Sequence, residues 1–173
     1  HLVYMMGETC YYYPCAIFCR QRYEKGDFGH FVYAESQYYH DITEMYGDFS
    51  RSGGDAWRRV AGIPPMFYPT HSASMVLSAI HEHATKVSCF GLRDDFHTDN
   101  IYGDGKNEWD NPFSNETALL RMSGGAVGTL AASWTIYGPG CNSTCLYGTK
   151  GIMLIYNTPG MPLEVRDLSS KST

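Results

Sequence analysis

The chain has 173 residues with a formal net charge of −5, 43% apolar residues and 14% aromatics. That length suits one domain able to bury a core without staples, and a mean hydropathy of −0.31 is ordinary for a soluble globular chain. No run reaches the roughly 20 apolar residues that span a bilayer, no basic, cleavable leader is visible at His1–Met6, and a pI of 5.7 lacks the basic footprint of a nucleic-acid binder. A cytoplasmic protein without nucleic-acid or membrane partners is expected.

Taken in chain order, Leu2 to Met6 reads as an apolar strand closed by Gly7. Thr9 to Lys25 reads as a helix, with Tyr12, Ala16, Cys19 and Tyr23 at helical spacing, Pro14 in the first turn and Gly26 as the stop. Gly29 to Tyr39 alternates as a strand with one solvated or interface face. From Asp41 to Pro65 no period is sustained, so a long functional or interfacial loop is expected. A second helix is predicted from Ser72 to Glu82, opened by Pro69-Thr70, with Ala73, Val76, Leu77 and Ile80 as its apolar stripe.

Thr85 to Leu92 reads as a strand, followed by a polar loop from Asp94 to Asn111. Strand-like runs then follow at Thr117–Met122, Val127–Ile136, Cys141–Tyr147, Ile152–Tyr156 and Leu163–Arg166. Short Gly-containing linkers, the last at Thr158-Pro159-Gly160, join them as antiparallel hairpins. The order predicts an α+β two-layer sandwich, with helices on one face of a mainly antiparallel sheet. The domain is read as residues 1–168, with 169–173 a polar tail.

Six cysteines without CxxC or HxxxH spacing predict buried free thiols and no metal centre. Gly103-Asp104-Gly105 and Gly138-Pro139-Gly140 lack the third glycine of a dinucleotide fingerprint and open no helix, so no cofactor-binding residues are expected here. The leading site candidate is Tyr68-Pro69-Thr70-His71. His71 falls in the first turn of a helix, where the positive dipole end disfavours a charged imidazole. It either relays a proton beside the Tyr68 hydroxyl or simply packs at the helix end. Glu8 and Thr9 offer a carboxylate and a hydroxyl for polyhydroxylated ligands, or an N-cap. His40 ends a strand. Trp57-Arg58 either holds an anionic ligand or forms a solvated basic patch.

Together these pieces resemble the C-terminal domain of the glucose–fructose oxidoreductase / inositol dehydrogenase / MocA (Gfo/Idh/MocA) family. The match runs through Gly7-Glu8-Thr9, Gly26-Asp27-Phe28-Gly29-His30-Phe31, Tyr39-His40-Asp41, Trp57-Arg58, Tyr68-Pro69-Thr70-His71 and Lys86-Val87-Ser88 to the Gly-turned hairpins. The resemblance implies a dihydrodipicolinate-reductase/GAPDH-like sheet domain preceded by a Rossmann domain, NAD or NADP as cofactor, and a sugar, polyol or related carbonyl substrate. It also implies homodimers or homotetramers built through the sheet. His71 and Tyr68 fall at catalytic positions, with Glu8, Thr9, His40, Trp57, Arg58 and Thr70 on the substrate side.

The Tyr-Pro-Thr-His form is similar to a branch that includes NAD-dependent glycosidases, and a purely structural, assembling role is the third alternative. Where the family's DxxxH pattern has Asp, this chain has Phe67. The family's Glu-Lys-Pro motif belongs to the Rossmann half, and no helical return follows Asp167. This stretch by itself is therefore expected neither to bind NAD tightly nor to turn substrate over.

Overall fold

In the computed structural model, residues 1–5, 7–97, 101–138 and 140–157 are described. Pro14, which needs no intrahelical donor, opens helix α1 (Pro14–Glu24) after a 3-10 turn at Cys10–Tyr12. The helix stops where Gly26 takes φ +77° and the Asp27 N–H returns to the Arg22 carbonyl. Gly29 follows at φ +66°, in a place where a Cβ would run into the Thr149 hydroxyl. Only glycine lets this turn lie against residues 148–151, where the Thr149 and Lys150 N–H groups donate to the His30 and Phe28 carbonyls at 2.9 and 3.0 Å.

Strand β1 (Phe31–Tyr39) comes next, with a register shift between Phe31 and Tyr33. The extra residue puts Phe31, Ala34 and Ser36 on the buried side, which a strict alternation would not. The segment expected to be an irregular loop is instead mostly helical: α2 (Tyr46–Gly53), α3 (Trp57–Ala61) and 3-10 turns at Ile42–Met45 and Gly54–Ala56. At eight and five residues the two helices are too short to show a period. Tertiary burial holds them, since Ile42 and Trp57 pack with Ile101, Tyr102 and Trp134.

Helix α4 (Thr70–Ile80) begins two residues earlier than its apolar stripe suggests, because the Pro69 carbonyl accepts from the Ser72 and Ala73 N–H groups. It ends at His81, which adopts a left-handed conformation at φ 51°. Among the described residues no helix is long and apolar enough to cross a membrane.

The remaining strands are β2 (Ala84–Arg93), β3 (Phe113–Met122), β4 (Val127–Ser133), β5 (Cys141–Gly148) and β6 (Ile152–Asn157). They form one described sheet in the order β2-β3-β4-β1-β5-β6. β3–β4 and β5–β6 are the antiparallel hairpins expected, but β4 and β5 do not pair with each other. β1 lies between them, parallel to β4 and antiparallel to β5. The long excursion through α4, β2 and β3 supplies the connection that a parallel pair requires.

α1 and α4 cover one face, where Val76, Ala79 and Ile80 pack on Ala34, Leu120, Leu130, Leu146 and Ile155. This is the α+β sandwich that the element order predicts. Residues 2–5, expected in a strand, pair with none of the described strands and are exposed. An apolar run becomes a strand only where a sheet edge takes up its backbone donors and acceptors. Met6, the 158–160 turn, the 163–166 strand and the 169–173 tail lie outside the described residues.

Candidate functional site

Four pieces of chain meet at one corner of the sheet: the segment before α1, the end of β1, the first turn of α4 and the start of β5. The corner is centred on His71, whose Nδ1 lies 2.9 Å from Glu8 Oε1 and whose Nε2 lies 3.2 Å from the Tyr68 hydroxyl. Glu8 Oε1 also accepts from the Cys10 N–H at 2.8 Å. Burial works against the charged form of Glu8. Hydrogen bonds from the Thr70 hydroxyl, the Cys10 N–H and His71 outweigh it and hold the carboxyl down to about 2. An ionised carboxylate only accepts, so Nδ1 carries the proton and Nε2 is left to accept from Tyr68. Carboxylate, imidazole and phenol thus form a line in which Glu8 can stabilise a protonated His71 while Tyr68 gives or takes a proton at the outer end.

The rest of the corner is tightly held. Cys10 is 1% exposed, its sulphur lies 3.4 Å from His71 Nδ1, and it accepts from Asn142 Nδ2 at 3.0 Å. Burial first, and the Glu8 carboxylate second, push the Cys10 thiol up. Tyr38 meets the His71 ring edge-on at 4.7 Å and Trp134 at 5.5 Å. Burial also raises the Tyr38 phenol.

Two cavities flank His71 and Tyr38. One, of about 320 Å³, has an aromatic and aliphatic wall that includes Ile42, Phe49, Tyr68, Tyr102 and Trp134. The other, of about 240 Å³, is lined by Thr9, Cys10, Tyr13, Gly140, Cys141 and Asn142.

The predicted site residues are therefore partly gathered and partly scattered. Glu8, Tyr68, Thr70 and His71 form one hydrogen-bonded group. Thr9 borders the polar cavity, and His40 borders the aromatic one. The His40 Nδ1 is buried with no hydrogen-bond partner among the described residues. Trp57 is buried in the cluster with Tyr46 and Phe49, and Arg58 lies exposed over its ring at 4.7 Å. Neither borders a cavity next to His71.

Phe67, at the place of the expected Asp, is 66% exposed; the carboxylate that pairs with His71 comes from Glu8 instead. Cys10, Tyr38, Trp134 and Asn142 carry no spacing signal that could have marked them beforehand. The expectation of buried thiols fails at two of the six cysteines: Cys89 is exposed on edge strand β2, and Cys141 is half-buried at the first position of β5.

No protein-family model and no curated protein matches the sequence. Solved structures do match the fold. One is a levoglucosan dehydrogenase in complex with NADH and levoglucosan, at TM-score 0.65 and 16% identity over 89% of this chain and 40% of that one. Another is scyllo-inositol dehydrogenase from Lactobacillus casei with bound NAD(H) and scyllo-inositol, at TM-score 0.66 and 16% identity over 93% and 43%. A third is myo-inositol 2-dehydrogenase from Lactobacillus plantarum, at TM-score 0.59 and 15% identity over 86% and 40%. The chain spans about 40% of the length of these proteins. At such identities the likeness is one of fold: the six-stranded, mainly antiparallel sheet with its helices matches a portion of these dehydrogenases that is about 40% of their length.

Proposed function

We propose that this chain is the substrate-side domain of an NAD(P)-dependent oxidoreductase acting on a sugar, polyol or related carbonyl compound. The observation that carries the reading is His71, held between the Glu8 carboxylate and the Tyr68 hydroxyl at the wall of an aromatic cavity. Sugar rings lay their C–H faces on aromatic side chains, and their hydroxyls need a proton acceptor when oxidised. The dinucleotide is held by a Rossmann domain that docks over the corner, where Phe67 and Tyr68 are 66% and 45% exposed. A nicotinamide bound there would supply hydride transfer to or from the substrate carbon. Tyr68 and His71 take the hydroxyl proton, and Glu8 stabilises the imidazolium. Thr70 acts indirectly, through its hydrogen bond to Glu8, while Thr9 and His40 contact substrate from the two cavities.

In the protein that joins this domain to its dinucleotide-binding domain, His71→Ala lowers kcat by about 10²–10⁴-fold with a smaller change in KM. An unchanged kcat would remove His71 from the chemistry.

The same domain assembles the protein through the open face of the sheet. Phe90, Leu92, Leu119 and Val127 share that face by register and are 83%, 49%, 54% and 39% exposed. Phe90→Asp with Leu119→Lys yields monomers in sedimentation; retained oligomers would move the interface elsewhere.

A further inference from the structure

Spacing along the sequence offers no metal signature, yet folding brings three different ligand types to one point. The Glu8 carboxylate, the Cys10 sulphur and a His71 ring nitrogen all lie within 4.8 Å of one another. His71 Nδ1 is 2.9 Å from Glu8 Oε1 and 3.4 Å from Cys10 Sγ. A tetrahedral ion with bonds of about 2.0–2.3 Å holds its ligand atoms roughly 3.3–3.7 Å apart. Both separations are within about half an ångström of that geometry.

The groups behind the ligands point the same way. The other nitrogen of His71 is paired with the Tyr68 hydroxyl at 3.2 Å, and the Cys10 sulphur accepts from the Asn142 amide at 3.0 Å. An outer partner on the second imidazole nitrogen and an N–H donor on the sulphur are the supports that metal ligands use to hold tautomer and orientation. Cys10 is 1% exposed, so the sulphur is presented inward and shielded from bulk solvent. One side of the group remains open to the cavity of about 240 Å³ bounded by Thr9, Gly140 and Asn142, leaving space for a water or a ligand oxygen.

We propose that Glu8, Cys10 and His71 form a binding site for one zinc-class divalent ion, with three protein ligands and a fourth position facing that cavity. A thiolate and an imidazole beside a single carboxylate select Zn²⁺ or Co²⁺ over Mg²⁺ or Ca²⁺, which need all-oxygen shells. With the ion bound, Nδ1 coordinates and the ring proton moves to Nε2, which then donates to the Tyr68 oxygen. An ion on Nδ1 leaves Nε2 protonated, so the ion-bound state holds His71 and Glu8 out of the proton relay. The site goes beyond the oxidoreductase reading and is measured on this chain without turnover, whereas the His71→Ala comparison of kcat is made on metal-free protein, so the two readings fail separately.

The test is a Co²⁺ titration of the chain, followed by its thiolate-to-cobalt charge-transfer absorption and by displacement with Zn²⁺. One equivalent binds with a charge-transfer band. Cys10→Ser abolishes the band, Glu8→Gln and His71→Gln weaken zinc binding at least about tenfold, and Asn142→Ala weakens it about tenfold through the lost support of the sulphur. The double variant Cys89→Ser/Cys141→Ser keeps the band. If Cys10→Ser does not fold by circular dichroism, Glu8→Gln and the cysteine double variant still decide. No band at saturating cobalt in the folded chain, or a band that disappears with Cys89 and Cys141, overturns the proposal.

Discussion

The two cavities that meet at Tyr38 and His71 are built on opposite principles. On one side, Glu8 accepts from the Cys10 N–H, Thr70 and His71, and the Cys10 sulphur accepts from Asn142 Nδ2. Most groups near His71 thus have their place set by a hydrogen bond, with Asn142 Oδ1 the exception, buried without a partner among the described residues. On the other, the wall is ring and aliphatic surface, and the polar atoms within it are less committed: Trp134 Nε1 and His40 Nδ1 are buried without a hydrogen-bond partner among the described residues. Buried donors and acceptors left over in this way lose water without compensation. The polar side suits chemistry, which needs groups in fixed positions; the aromatic side suits binding, where apolar area contributes affinity and a few free donors set orientation.

The comparison can be broken most forcefully from the aromatic side. Trp134, 6% exposed, ties Tyr38 to the Ile42–Trp57 cluster. Trp134→Ala costs about 3–5 kcal/mol of stability, read from the urea midpoint. A loss below about 1 kcal/mol would mean that this wall is not a packed core.

On the polar side, Glu8→Ala costs about 1.5–3 kcal/mol at neutral pH through lost hydrogen bonds to a charged group. The folded-state carboxyl sits at about 2 against an ordinary 4.5. A lowered value stabilises the fold at pH above 4.5, and that stabilisation disappears as the pH falls towards 2. The gap between wild type and Glu8→Ala therefore narrows over that window. A gap independent of pH would show that the Glu8 carboxylate is not held in its charged form.

Tyr68→Phe removes only an outer, partly solvated hydrogen bond, and stability drops by about 0.5–1 kcal/mol. A larger loss would make Tyr68 part of the frame rather than its outer end. Smallest of all, Arg58→Ala shifts stability by no more than about 0.5 kcal/mol, read from the urea midpoint. A loss above about 1 kcal/mol would make the Arg58 guanidinium, which lies over the Trp57 ring, part of the packed cluster.

What could be read in advance follows the range of the interactions involved. α1 and α4 were legible because Pro14, Gly26 and Pro69-Thr70 punctuate local periodicity. The β3–β4 and β5–β6 hairpins were legible because their turns are a few residues long. Tyr68 and His71 sit in a single turn, so their proximity was also readable. α2 and α3 were not, since burial of Ile42 and Trp57 against residues 101, 102 and 134 holds them. The family resemblance puts a carboxylate partner for His71 one helical turn upstream, where this chain has Phe67. The carboxylate lies instead 63 residues away in sequence.

By itself, then, the sequence determined the helices, the hairpins, the α+β layering and the local pairing of Tyr68 with His71, because these depend on neighbours within a turn or two. Only the tertiary structure decided that β1 enters between β4 and β5, and that this insertion carries Tyr38 to the corner where Glu8, Cys10, His71 and Asn142 meet. Strand pairing and side-chain convergence across long separations are set by which apolar faces bury together, and such long-range burial leaves no periodic trace in the chain.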